Sequence, residues 1–239
     1  MSEFFIELFS EEIPANLQNK TRQDFFQNLK EFLEKEDITY SGEAASFSIP
    51  NRLIVYFQNI SKKITKKENE IRGPNINVPG DALNGFLKSY KISIDKTYKK
   101  KTDKGEFYFF KKPSESIETK FVLQKNLPKI LDKISWKKSM RWADHELYWG
   151  RPLKSILCCF DNKSLEFVYH HLVSSNITFI DKDFEQKTKK FFRFKDYLAF
   201  FKSQNIILDN KKREQFIIDQ LNRIAKRENL KIYFNSTLL

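Results

Sequence analysis

Three kinds of residue in this chain could do chemistry on their own: histidines, cysteines and paired carboxylates. The histidines are His145 and the adjacent pair His170-His171. Neighbours on a strand point to opposite faces and none has a second ligand at metal spacing, so they read as strand-edge histidines and no metal site is assigned. Cys158 and Cys159 are adjacent too, where a bridge would strain the peptide between them and close almost no loop. They lie in the apolar run Ile156 to Phe160, where burial raises a thiol's pKa, so free thiols packed in a core are expected. The chain has no G-x-x-x-x-G-K-[ST], G-x-G-x-x-G or G-x-S-x-G pattern, which leaves a phosphate cradle or a nucleophile elbow without support. No catalytic residue is assigned, and no cofactor is expected in this chain.

What remains is a constellation of cations and aromatic rings. Trp136-Lys137-Lys138-Ser139-Met140-Arg141-Trp142 and Trp149-Gly150-Arg151-Pro152 place all three tryptophans within 14 residues, interleaved with Lys137, Lys138, Arg141 and Arg151. Stacking surfaces beside phosphate donors suit an RNA face. The alternative is that the tryptophans fill the core while the arginines pair with Asp144 and Glu146. Three exposed indoles would make a large apolar patch, so at least one should be core. Arg72-Gly73-Pro74 is open in the same way, with Arg72 either a contact residue or merely solvated at a turn. The formal charge of +12, from 43 Lys and Arg against 31 Asp and Glu, favours a polyanionic partner such as RNA. A coding bias toward Lys, Asn, Ile and Phe would also produce it.

The elements that must position these residues can be read from periodicity. Phe4 to Phe9 is an apolar run broken by Glu7, and Ser10-Glu11-Glu12 with Pro14 follows, which predicts a strand entering a helix with acids in its first turn. Leu17, Phe25, Leu29, Phe32 and Leu33 continue at helical spacing to about Lys35. Leu53, Val55 and Phe57 alternate with less buried positions in a strand after Pro50. Ser61 to Asn69 reads as a basic connector, and Ile71 to Gly80, with two prolines and two glycines, as a loop before a short helix from Asp81 to Tyr90. A strand over Gly105–Lys111 precedes helical spacing at Ile117, Phe121, Leu127, Ile130, Leu131 and Ile134, interrupted by Pro128. Ser155–Phe160, a turn at Asp161-Asn162-Lys163 and Leu165–Tyr169 predict a hairpin. A final helix over about Asn210–Asn229 should turn Phe216, Ile217, Leu221 and Ile224 inward. The class is α+β, mixed strands and helices with no regular βαβ repeat. At 239 residues, rich in Phe (24) and poor in Gly (6), the chain can bury a core without staples. Its start, MSEFFIELFSEEIP, lacks a basic n-region, and no stretch reaches the roughly 18 apolar residues of a membrane span, so the expectation is cytoplasmic with no membrane partner.

Several separated motifs resemble the amino-terminal part of the β subunit of bacterial tetrameric glycyl-tRNA synthetase. They are Phe5-Ile6-Glu7-Leu8 with Glu11-Glu12-Ile13-Pro14, Pro50-Asn51-Arg52-Leu53, Arg72-Gly73-Pro74, Asp103-Lys104-Gly105-Glu106, Ser139-Met140-Arg141-Trp142 and Arg151-Pro152. Their order agrees over most of the first 175 residues. The sequence departs from the family at Asn51, where the family has a second arginine. It departs again at Phe179-Ile180-Asp181-Lys182, where the family has Gly-His-Arg-Phe. The family continues beyond the last residues, Asn235 to Leu239, into an HD-type and an anticodon-binding domain, so the chain is expected to be a fragment or a reduced relative.

The resemblance implies a part in joining glycine to tRNA at the expense of ATP. It implies that the class II site for ATP and glycine lies on a partner α subunit, and that this chain contributes tRNA binding and docking to that subunit. The expected partners are therefore the glycyl-tRNA synthetase α subunit and the tRNA for glycine. The expected organisation is an amino-terminal α+β part over 1–175 and a basic, aromatic helical segment over 176–239. Arg72, Lys137, Lys138, Arg141 and Arg151 are the candidates for RNA or partner contact. A free-standing RNA-binding module, or a structural assembly part without synthetase activity, is the alternative.

Overall fold

A computed structural model describes residues 2–66, 68–78, 80–180 and 187–233. Asp181 and Lys182 of the divergent segment, and Asn235 to Leu239, lie outside them. The elements in chain order are β1 (Ser2–Ser10), α1 (Ala15–Lys35), β2 (Ala44–Ile49), β3 (Arg52–Ile60), β4 (Lys63–Lys66), β5 (Asn69–Asn75), α2 (Gly80–Tyr90), β6 (Thr97–Thr102), β7 (Gly105–Lys112), β8 (Glu115–Glu118) and α3 (Thr119–Asp132). Then follow β9 (Met140–Arg141), β10 (Tyr148–Trp149), β11 (Leu153–Phe160), β12 (Lys163–Ser164), β13 (Val168–Tyr169), β14 (Leu172–Val173), β15 (Ile177–Phe179), β16 (Thr188–Lys190), α4 (Phe194–Ser203) and α5 (Asn210–Arg227). The class is α+β. The chain divides into two units, one of Met1–Lys62 with Thr119–Leu239, the other of Lys63–Glu118. The expected boundary at 175/176 therefore falls inside the first unit. There the Ser175 N–H donates to Ile156 O at 3.0 Å and the Phe191 N–H to Asn176 O at 2.9 Å, tying the two stretches together.

The first unit is built on a five-stranded antiparallel sheet in the order β12-β11-β1-β3-β2. Alternation sends Phe4, Ile6 and Leu8 to one face and Phe5, Glu7 and Phe9 to the other. The first face meets α1, whose Thr21, Phe25, Leu29 and Leu33 are buried and whose Phe26 stacks on Phe57 at 5.5 Å and 8°. The second face meets α4, where Phe194 stacks on Tyr56 at 4.2 Å and Tyr197 lies 5.8 Å from Phe5. With layers on both sides, Leu53, Ile54, Val55, Tyr56 and Phe57 are all buried, and the expected alternation in β3 is absent.

Glu7 interrupts the apolar run because it carries a buried network. It is fully buried, and its Oε2 lies 3.1 Å from Nε of Arg52, a diagonal neighbour on the same sheet face, in an ion pair not aligned as a hydrogen bond. The Tyr197 and Thr178 hydroxyls donate to its two oxygens, and Arg52 donates to the Phe179 carbonyl. The Arg52 guanidinium also lies 4.3 Å from the Phe9 ring centre and 5.1 Å from that of Phe201. Burial beside Glu7 pushes the Tyr197 phenol well above its usual pKa, which keeps it a donor.

Several local expectations change for identifiable reasons. Pro14 is the N-cap of α1 and no acid occupies its first turn. Glu11 instead pairs with Lys154 of β11, so its role is cross-strand and not helix-dipole stabilisation. Pro128 lies within a continuous α3, where Leu127, Ile130 and Leu131 are buried around it, while Phe121 is exposed. Asp161 and Asn162 adopt positive φ in the expected turn, but the returning β12 is only two residues long and Val168–Tyr169 pairs with β14 instead. Phe216, Ile217, Leu221 and Ile224 of α5 are 39–51% exposed and not inward. Cys158 and Cys159 are buried free thiols, both pushed up by burial, Cys159 to about 12.

The second unit holds a three-stranded antiparallel sheet β5-β7-β6 and a β4–β8 ladder. The expected connector thus contains β4, and the expected loop over Ile71–Gly80 begins as β5, its ladder shifting register between Arg72 and Asn75 where Gly73-Pro74 bulges out. A Cβ on Gly73 would stand 2.9 Å from the Phe86 ring of α2, so any other residue there would have to push that ring aside.

Removing one member of a buried ion pair leaves the other uncompensated, at about 3–5 kcal/mol. Glu7→Ala should therefore lose roughly that much stability in urea unfolding, and Tyr197→Phe about 1.5–3 kcal/mol for one bond to a charged acceptor. A Glu7→Ala loss smaller than that of Tyr197→Phe would show that the pair does not hold this core.

Candidate nucleic-acid interface

The tryptophan-rich segment begins where α3 ends at Asp132 and returns to the sheet at β11. Its root is a packed pair: the Trp136 and Trp149 rings lie 5.1 Å apart at 58°, and Trp149 meets Tyr169 edge-on at 6.1 Å. Gly150 is required there, because a Cβ would fall 2.0 Å from Trp136 Cε3. Both indole N–H groups are buried with no hydrogen-bond partner among the described residues, so apolar packing and not hydrogen bonding fixes the root.

On this root stands a short hairpin. Arg141 of β9 pairs with Tyr148 of β10, and Met140 with Trp149. The Trp142 carbonyl accepts the His145 N–H at 3.3 Å, closing the tip, with Ala143 at φ 49°. Trp149 is buried and Trp136 half-buried, whereas Trp142 is 50% and Tyr148 63% exposed. One indole is core, as the patch argument required, and one is left in solvent.

Lys137, Lys138 and Arg141 are exposed, and none has a described carboxylate within ion-pair distance. The alternative in which Arg141 pairs with Asp144 or Glu146 is not what the side chains do. Arg151 is half-buried and its Nη1 donates to the Gly150 carbonyl at 3.2 Å, so it braces the root and does not face outward with the other three. Arg72 belongs to the second unit, exposed, with its guanidinium 3.6 Å from the Phe107 ring centre. Lys137, Lys138 and Arg141 are thus exposed on one short stretch of chain, Arg151 is half-buried at the root, and Arg72 belongs to the second unit.

Two features escaped the sequence. Tyr148 is an exposed ring directly across from Arg141, legible only once the register is known. The imidazoles of His145 and His171 stack face to face at 3.5 Å and 3°, joining the hairpin to the β13–β14 turn, where His170 has φ 51°. The Tyr169 hydroxyl donates to Asp132 at 3.1 Å beside them, and burial, then this acceptor, pushes the phenol up. Among the described residues no group of three His, Cys, Asp or Glu is placed to hold a metal ion.

Comparison with known proteins gives a consistent family. A family model described as glycyl-tRNA synthetase beta subunit matches residues 4–239. A glycine–tRNA ligase beta subunit of Rickettsia felis is 34% identical over 241 residues, covering 100% of this chain and 36% of the relative. That of Rickettsia prowazekii is 35% identical over 233 residues, covering 97% and 35%. The chain thus spans about a third of the length of the curated relatives it matches.

The stacked imidazoles define a pH dependence. Burial first, then His145 and His170, lower the His171 pKa below 6.5. A depressed folded pKa means that the stabilising contact is present above the unfolded value and is lost as pH falls through the folded one. A proton NMR titration should place the His171 midpoint below 6.5, with hairpin resonances shifting in the same step. A midpoint above 6.5 would contradict the stack.

Proposed function

Since the chain belongs to the glycyl-tRNA synthetase beta subunit family, we propose that it serves glycyl-tRNA synthesis as a tRNA-binding and α-subunit-docking part. In this reading ATP and glycine are bound on the α subunit and this chain completes no active site alone. The reaction is cytoplasmic. Among the described residues, no helix is long and apolar enough to cross a membrane. The observation that carries the reading is the exposed hairpin and the stretch leading into it, where Lys137, Lys138 and Arg141 are unpaired and Trp142 and Tyr148 are exposed. Three successive cations without carboxylate partners keep their charge for phosphates, and the formal charge of +12 adds a long-range attraction of the same sign.

Arg141→Ala should weaken tRNA binding by about 1 kcal/mol and lower the salt slope by about one unit, with the melting temperature unchanged. An unchanged slope with a lowered melting temperature would make Arg141 a structural residue. The purified chain alone should give no glycine-dependent ATP–pyrophosphate exchange above background. Exchange above background would overturn the division of labour between the subunits.

A further inference from the structure

We propose that the β9–β10 hairpin binds unpaired RNA nucleotides by stacking them on Trp142 and Tyr148, and does not bind a paired A-form stem. This inference rests on the reading of the hairpin as an RNA face and specifies which part of an RNA it takes.

The argument starts from the rings. Each strand of the hairpin is two residues long, so it can shelter little of its own side chains, and its root already uses Trp136 and Trp149 on each other. Trp142 approaches only the rim of the histidine stack, at 6.1 Å from His145 and 48°, and keeps half its surface in water. Tyr148, across the ladder from Arg141, is more exposed still, and Met140, paired with Trp149 at the next rung, is 42% exposed. Exposed apolar rings on a packed root are costly unless something covers them.

The charges then select the cover. Aromatic residues, Met and Arg also mark protein interfaces, but lysine is depleted there, and Lys137 and Lys138 lead directly into this hairpin. A paired A-form stem offers phosphates and a shallow minor groove, while its base faces are hidden in the stack. An exposed phenol across the ladder from a guanidinium, and an exposed indole next to it in sequence, fit nucleotides whose base faces are free, with the sugar-phosphate chain along the cations. Asp144 and Glu146 are on the hairpin loop, Asp144 exposed and Glu146 exposed, and repel phosphates there, so the phosphates of the strand belong at Lys137, Lys138 and Arg141 and not at the loop.

The test compares wild type, Trp142→Ala, Trp142→Phe and Arg141→Ala against an unstructured pyrimidine RNA and a fully paired RNA duplex with equal numbers of phosphates. The wild type should prefer the single strand. Trp142→Ala should lower single-strand affinity by roughly 5- to 150-fold with its salt slope unchanged, leave duplex binding unaffected, and abolish quenching of tryptophan fluorescence by the strand. Trp142→Phe should restore most of the affinity. Arg141→Ala should weaken both ligands and reduce the slope. If Arg141→Ala weakens binding while Trp142→Ala does not, or affects strand and duplex equally, the stacking inference falls and the RNA face stands. If neither variant changes any RNA affinity, or the wild type binds neither RNA, both fall and a protein partner is left for the surface.

Discussion

One carboxylate in the middle of the central strand fixes much of the first unit. Glu7 sits where an apolar residue would satisfy hydrophobicity better, and its charge is tolerable only with Arg52, Tyr197 and Thr178 all in place. Those partners come from β3, α4 and β15, and Thr178 and Tyr197 are 171 and 190 residues away in sequence. Apolar contacts between β1 and α4 tolerate sliding, but a buried acid does not. A one-residue slip of β1 would send Glu7 to the face lined by Phe57 and α1, away from its cation. Arg52 then extends the constraint outward by donating to the Phe179 carbonyl, which ties the end of β15 to β3.

How much of this was legible follows from which forces are local. The opening strand and helix could be read because period-2 and period-3.6 patterns are written in consecutive residues. The Glu7–Arg52 pair could not, although both residues stood out as members of family-like motifs, because no periodicity links positions in different strands. β3 misled for a related reason: alternation predicts a half-covered strand, and helices on both faces remove it. Gly73 read as a turn residue, yet the Phe86 ring of α2 rests against it, and at Gly150 the Trp136 ring leaves no room for a side chain. In α5 the amphipathic pattern predicted the helix correctly and the direction of its apolar face wrongly. A stripe specifies that something can cover it and not that this chain does.

The candidate site shows the same division. Composition singled out Trp136 to Pro152, and burial reasoning required one core indole. It could not say which of three tryptophans would be left outside, since that depends on Trp136 settling on Gly150 and releasing Trp142 to the hairpin tip. No spacing in the sequence links His145 to His171, 26 residues later, and only the two hairpins folding together bring the rings face to face. That stack orients the tip and is therefore part of how Trp142 is presented.

Net charge is a poor guide to where a polyanion would sit on this chain. Many cations are neutralised close by: Lys62 by Asp161, Lys100 by Glu70, Lys111 by Glu68, Arg193 by Asp196 and Arg227 by Glu228. Such pairs are screened and contribute little to binding or stability. Solvated lysines elsewhere are unpaired as well, so lack of a partner does not by itself identify a site. What sets Lys137, Lys138 and Arg141 apart is the combination of unpaired charge, two exposed rings and a root packed through Trp136, Trp149 and Gly150. Cations alone would follow any phosphate chain, whereas cations beside fixed aromatic faces discriminate by what lies between the phosphates.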